Sequence, residues 1–217
     1  MIYIRKGREP SSLTAYKKQK YAFYDGYEHK GELRQALLRD QGYICAYCMR
    51  RIENNSDTMK IEHWKAQSSL EDEKEKLDFR YLLGVCDGCR GNRDEITTCD
   101  EHRHNKKLYV NPFDQSMMNT ISYDRWGYIK SSNEDINKDL DETLNLNCEG
   151  APSRIVLNRK LILEECYDRM KRIQNKGLWT KSTLIKVLNY YREKPDGKNR
   201  EYVGVAYYVL NRYLKKL

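Results

Sequence analysis

Two groups of residues in this sequence have types and spacings suited to chemistry: a set of cysteines and one acid-histidine pair. Cys45-Ala46-Tyr47-Cys48 has the two-residue separation with which a tight turn aims two thiolates at one Zn²⁺, and a tetrahedral ion then needs two further ligands. Cys86, Cys89 and Cys99 are the candidates for them. The cysteines number seven, an odd count without a secretion signal, which speaks against a disulfide framework. No thioredoxin-like βαβ pattern surrounds the CxxC, so metal ligation is the better reading than redox chemistry. Between the cysteine groups lies Ile61-Glu62-His63-Trp64, directly after the strand-like Met59-Lys60-Ile61. An imidazole, with an ordinary pKa of ~6.5, can take a proton from water near neutral pH, which Lys and Arg cannot. Taken alone, a histidine beside an acid is more often a surface or hydrogen-bonded core residue than a catalyst.

The elements that must position these residues read as α+β. The patterns Leu13 to Tyr24 and Glu32 to Asp40 predict two short amphipathic helices, stopped by Gly26 and by Gln41-Gly42. Residues 43–111 break into short pieces, with strand-like Met59 to Ile61 and Leu108 to Val110 and an acidic run from Leu70 to Lys76. Alternation on both sides of Gly127 predicts a β-hairpin over Ile121 to Lys130. Helical spacing predicts a helix from Arg154 to Ile173, then further helices over Leu184 to Tyr191 and Tyr202 to Leu217, separated by Pro195-Asp196-Gly197. The organisation expected is an N-terminal helical arm over 1–42, a zinc-stapled core over 43–115, and a β-hairpin plus C-terminal helical region over 116–217. The middle unit has few aliphatic residues, so metal ligation must contribute to its folding.

With 217 residues the chain is long enough for one or two domains. A charged fraction of 33%, a mean hydropathy of −0.92 and no apolar run near ~20 residues argue against a membrane span. Met1 to Gly7 has no apolar stretch of signal-peptide type, so a cytoplasmic location is expected. The net charge of +8 is unevenly distributed. Residues 1–40 carry 9 basic and 5 acidic side chains, 41–140 carry 15 and 18, and 141–217 carry 16 and 9. The mildly acidic middle suits a cation and the basic flanks suit a polyanion, although lysine-rich helices also serve solubility alone. Arg103, His104, Lys106 and Lys107 form a run dense enough to contact phosphates, with a merely solvated run as the alternative. Tyr190, Tyr191, Tyr202, Tyr207, Tyr208 and Tyr213 offer either a partner-binding face or a tyrosine-rich core, the latter being favoured.

The order of the motifs carries a resemblance. A CxxC, a β-segment ending in Glu62-His63, then Leu82-Leu83-Gly84-Val85-Cys86, then Cys99-Asp100-Glu101-His102-Arg103 resembles the zinc-stapled HNH endonucleases. Ile4-Arg5-Lys6-Gly7-Arg8-Glu9-Pro10-Ser11-Ser12-Leu13, the CxYC turn, Leu83 to Gly88, Thr98-Cys99-Asp100 and Val110-Asn111-Pro112 look like the HNH subunit of retron and Septu antiphage systems, the PtuB-like proteins. This likeness covers residues 1 to about 115; the C-terminal third adds only generic helices.

The resemblance implies a ββα-metal core in which His63 is the general base and Glu62 and Asp100 hold a catalytic Mg²⁺ or Mn²⁺, while Cys45, Cys48, Cys86 and Cys99 hold a structural Zn²⁺. It implies a nucleic-acid substrate, DNA or RNA, and a PtuA-like ATPase as partner, with or without a reverse transcriptase and its msDNA. Since the chain has no G-x-x-x-x-G-K-[ST] loop, ATP dependence would come from that partner. Two departures stand out. Tyr81 takes the place of the structural Asn that helps orient the base, and Cys89 is an additional thiol. A zinc site closed by Cys86 and Cys89 is therefore the rival arrangement, in which Asn92 or His104 would replace Asp100 at the catalytic metal. The remaining alternative is a zinc-dependent nucleic-acid-binding or partner-interaction subunit without catalysis.

Overall fold

The computed structural model describes residues 1–91, 96–174 and 178–217. Helix α1 (Ser11–Tyr16) is followed by α2 (Lys30–Gln41), which buries Leu33, Ala36, Leu37 and Leu38 and ends on Gly42 in the left-handed conformation (φ 64°). Strand β1 (Met59–His63) pairs antiparallel with β2 (Leu82–Cys86), Met59 opposite Cys86 and His63 opposite Leu82. The connection between them holds the single turn α3 (Glu73–Lys76), and β2 leads to the short α4 (Cys99–Arg103).

The edge of β2 away from β1 is closed by a side chain. Gln41 Nε2 donates to the Gly84 carbonyl at 2.7 Å and to the Ile44 carbonyl at 2.9 Å, while its Oε1 accepts from Gly84 N at 2.7 Å. A buried amide thus satisfies backbone groups that a third strand would otherwise pair, and it fixes α2 to the sheet.

Beyond the core come α5 (Gln115–Asn119), the hairpin β3 (Ile121–Tyr123) and β4 (Ile129–Ser131), and α6 (Glu134–Lys138), which runs into a π-turn over Asp139–Thr143. Helices α7 (Ile155–Arg172), α8 (Lys181–Arg192) and α9 (Val203–Leu214) pack on one another, and α9 also lies on β3. Buried apolar residues from all these parts merge into one cluster. Among the described residues no helix is long and apolar enough to cross a membrane.

Two sequence expectations are corrected. The first helix ends at Tyr16 rather than Tyr24, since no apolar face continues beyond it and Tyr21 is 79% exposed. Leu108 to Val110 is no strand: the carboxylate of Asp139 accepts from Tyr109 N and Val110 N at 2.6 and 2.7 Å, so a buried side chain takes the place of a pairing strand. The C-terminal tyrosines follow the favoured reading, a tyrosine-rich core rather than a partner-binding face. Tyr191 and Tyr202 are buried, and Tyr208 and Tyr213 make edge contacts with Tyr123, Tyr167 and Trp179.

Replacing Gln41 by Leu keeps the volume but strands Gly84 N and Ile44 O without partners. Urea denaturation of Gln41→Leu should show a loss of about 2–3 kcal/mol, given the cost of unpaired buried polar groups; a loss under about 0.5 kcal/mol would contradict the role assigned to the amide.

Candidate functional site

The four sulfurs of Cys45, Cys48, Cys86 and Cys99 lie within 4.8 Å of one another, and all four residues are buried. The Cys45 and Cys99 sulfurs are 3.9 Å apart and those of Cys48 and Cys86 3.7 Å. Tetrahedral zinc with Zn–S bonds of ~2.3 Å spaces its sulfurs roughly 3.8 Å apart, so the donor set and its dimensions fit a structural metal such as zinc. Local backbone bonds shape the turn: Met49 N donates to Cys45 O, Cys45 N to Arg50 O, and Arg50 N to the Cys48 sulfur. The thiols compete for charge. Burial opposes ionisation of Cys45, yet hydrogen bonds from the other three sulfurs hold it well below the usual thiol range, while the bond to Cys45 first of all, with the bond to Cys86 and burial adding to it, pushes Cys48 and Cys99 well above it.

Cys99, not Cys89, closes the set. Gly88 (φ 63°) lies so close to the next segment that a Cβ there would stand 2.3 Å from the Thr98 carbonyl, and Thr98 N donates to Gly88 O at 2.9 Å. This backbone contact seats Cys99 beside Cys86, and Cys99 N is further held by Leu144 O at 2.8 Å. The sulfur of Cys89 instead accepts from Arg50 Nη1 at 3.9 Å. The rival zinc arrangement is therefore set aside. Asn92, its alternative ligand, lies outside the described residues, and His104 lines the cleft described next.

On the side of β1 and α4 opens a cleft of about 340 Å³, lined by Glu62, His63, Gln67, Asp100, Arg103 and His104 among others. The candidate base and both candidate carboxylates therefore face one space. Glu62 is buried; its Oε1 accepts from Tyr47 Oη at 3.2 Å and from Arg103 Nη1. Burial, then the charge and hydrogen bond of the neighbouring Asp100, outweigh Arg103 and lift the Glu62 carboxyl well above its usual range. A divalent cation between the two carboxyl groups would favour the ionised form of Glu62.

His63 is held at both nitrogens. Its Nε2 is 2.8 Å from the Lys76 carbonyl, which can only accept, so Nε2 carries the proton and Nδ1 offers its lone pair. Gln67 Nε2 donates to that Nδ1 at 2.8 Å, and the Tyr24 ring packs edge-on at 4.5 Å. Burial lowers the His63 pKa; the Lys76 carbonyl opposes this, while Lys30, Lys76 and Arg103 reinforce it. The orienting carbonyl thus belongs to Lys76. Tyr81 supports the adjacent residue instead, accepting from Trp64 N at 2.9 Å and stacking on its ring.

Arg103 is no phosphate contact. It is 1% exposed, and its guanidinium reaches Glu62 Oε1, His63 O, Trp64 O and, through Nε, Lys106 O. It pins the end of β1 from which both candidate groups project. Its place four residues after Cys99, one helical turn along, is the sequence signal for an inward-facing side chain. Gln67 and Lys76 act from the short turns that connect β1 to β2, Lys76 through its backbone carbonyl at the end of α3, and left no such signal. His104, Lys106 and Lys107 are exposed.

No protein-family model matches the chain, and no curated protein matches it.

Stripping metal with a chelator should speed hydrogen exchange in residues 43–111 before it does so in α8, and should make the thiols of Cys45, Cys48, Cys86 and Cys99 open to alkylation. Equal protection of both regions with and without chelator would count against a metal-supported core.

Proposed function

We propose that this protein is a metal-dependent HNH endonuclease that hydrolyses nucleic-acid phosphodiester bonds, with zinc at the four cysteines. The observation that carries the reading is the convergence of Glu62, His63 and Asp100 on one cleft beside the cysteine cluster. His63 takes a proton from the attacking water through Nδ1, the one ring nitrogen with a lone pair, and the Lys76 carbonyl keeps the ring in that tautomer. The Gln67 amide must turn aside to admit the water. Glu62 and Asp100 are hard oxygen donors suited to Mg²⁺ or Mn²⁺, which when bound would stabilise charge on the phosphoryl and leaving oxygens. Arg103 holds Glu62 in place, and the basic flanks at 1–40 and 141–217 supply attraction to a polyanion. The same reading extends to a cytoplasmic antiphage effector gated by a PtuA-like ATPase, with or without a reverse transcriptase and its msDNA.

One observation favours a second reading, a zinc-dependent nucleic-acid-binding or partner-interaction subunit without catalysis: both nitrogens of His63 already have partners and the residue is 3% exposed.

Cleavage of DNA and of RNA, measured with added Mg²⁺ or Mn²⁺, separates the two. His63→Ala should lose about 10²- to 10⁴-fold in rate while still binding the polymer, and Asp100→Asn should raise the divalent concentration required. Cleavage unchanged in His63→Ala would falsify the base assignment; binding without cleavage by the wild type would favour the second reading.

A further inference from the structure

The tip of the β3-β4 hairpin and the start of α7 bound a pocket of about 580 Å³ that shares no described residue with the cleft at Glu62. Trp126, Tyr128, Glu149, Arg154, Leu157 and Lys160 line it. Trp126 is 52% exposed, a large ring left half in water. Its backbone is held there. The Asp124 carboxylate accepts from Trp126 N at 2.9 Å and from Tyr128 N at 3.1 Å. Gly127 (φ 93°) lies so close to α7 that a Cβ would stand 2.3 Å from Val156 O. The turn is therefore pressed onto the helix backbone, and the indole is displayed from a fixed support.

Cations surround the ring. The Arg125 guanidinium is 4.7 Å from the ring centroid and the Lys160 ammonium 5.5 Å, and Arg154 stands on the pocket wall. Of the ion pairs among the described residues one touches this group, Lys160 with Glu164 at 3.8 Å, an exposed pair of small energy. The one acid in the lining, Glu149, accepts from Tyr128 Oη. Arg125, Arg154 and Lys160 thus outweigh the acids and favour an anion, while the indole favours a flat π-face beside it. An apolar ligand would leave the cations unanswered, and a bare phosphate would leave the ring idle. An unpaired nucleotide supplies both a base to stack and a phosphate to pair, whereas a duplex hides its base faces inside the stack.

We propose that this pocket is a single-strand subsite, in which one unpaired base stacks on Trp126 while Arg125, Arg154 and Lys160 neutralise the adjoining phosphates. The proposal rests on nucleic acid being the ligand of this protein and is independent of cleavage. A π-face and a phosphate are common to DNA and RNA, so both are probed.

The test uses the full chain with no divalent ion added and measures fluorescence anisotropy of labelled probes. These are a short oligothymidylate, a short oligouridylate, a duplex, and an abasic strand that carries phosphates alone. Trp126→Ala should weaken single-strand binding about 10- to 100-fold, the scale of one base-aromatic stack, and leave affinity for the duplex and the abasic strand unchanged. Trp126→Phe should recover most of the loss, and the tighter of the two single strands names the sugar. Arg154→Gln should lower the slope of log affinity against log salt by about one for the single strands. Unchanged single-strand affinity in Trp126→Ala, the result expected if an acidic protein segment fills the pocket, would overturn the proposal and leave the nuclease reading standing. Equal losses on single and abasic strands would overturn the stacking role. Wild type that binds no probe would remove the nucleic-acid reading and this proposal with it. If Trp126→Ala does not fold, photocross-linking of wild type to a strand carrying 5-iodouracil decides: adducts at Trp126 support the subsite, and adducts confined to other residues overturn it.

Discussion

Three separate stretches of chain arrive at one point because Gly88 lets the backbone at Thr98 come into contact with it. That approach delivers Cys99 to Cys86, and with the Cys45-Cys48 turn it completes a group of four buried sulfurs. Everything on the cleft side follows from it. Cys99 opens α4, so Asp100 and Arg103 take their places from the same anchor, one beside the Glu62 carboxylate and the other clamped on it. A change at Gly88 would act on the candidate site without touching a single residue in it, since any side chain there would meet both a positive φ and the Thr98 carbonyl.

The neighbourhood is unusual for how much charge and polarity it buries. Arg103, Glu62, His63, Gln41 and Asp139 are all largely withdrawn from water, and each is satisfied by backbone groups or by another of these side chains. Such networks add little net stability by themselves, but each becomes costly once a partner is lost. They therefore specify one arrangement of the β1 end rather than adding bulk to the core. Arg159, on α7, adds a fully buried guanidinium whose one hydrogen bond among the described residues goes to Leu146 O.

Much of the candidate site was legible in the sequence because it depends on local spacing. The CxxC turn and the strand ending in Glu62-His63 are short motifs whose geometry is set within a few residues, the Cys99-Asp100 step was singled out by the resemblance alone, and the amphipathic α2, α7 and α9 follow from periodicity. What could not be read depends on contacts distant in sequence. Whether Cys89 or Cys99 joins Cys86 turns on the Gly88 to Thr98 contact, across an insertion with no pattern of its own. Leu108 to Val110 has the composition of a strand, yet its amides find a carboxylate some thirty residues on instead of a neighbouring strand. Arg103 sits in a basic run that looks solvated until its helix phase relative to Cys99 is taken into account.

The central claim is that four sulfurs, including that of Cys99 and excluding that of Cys89, hold one metal ion. X-ray absorption at the zinc edge tests it directly on the purified protein. Wild type and Cys89→Ser should both give four sulfur neighbours at ~2.3 Å, and Cys99→Ser should give three with a lighter atom in place of the fourth. Four sulfurs in Cys99→Ser but three in Cys89→Ser, or zinc bound mainly by nitrogen and oxygen, would contradict the account.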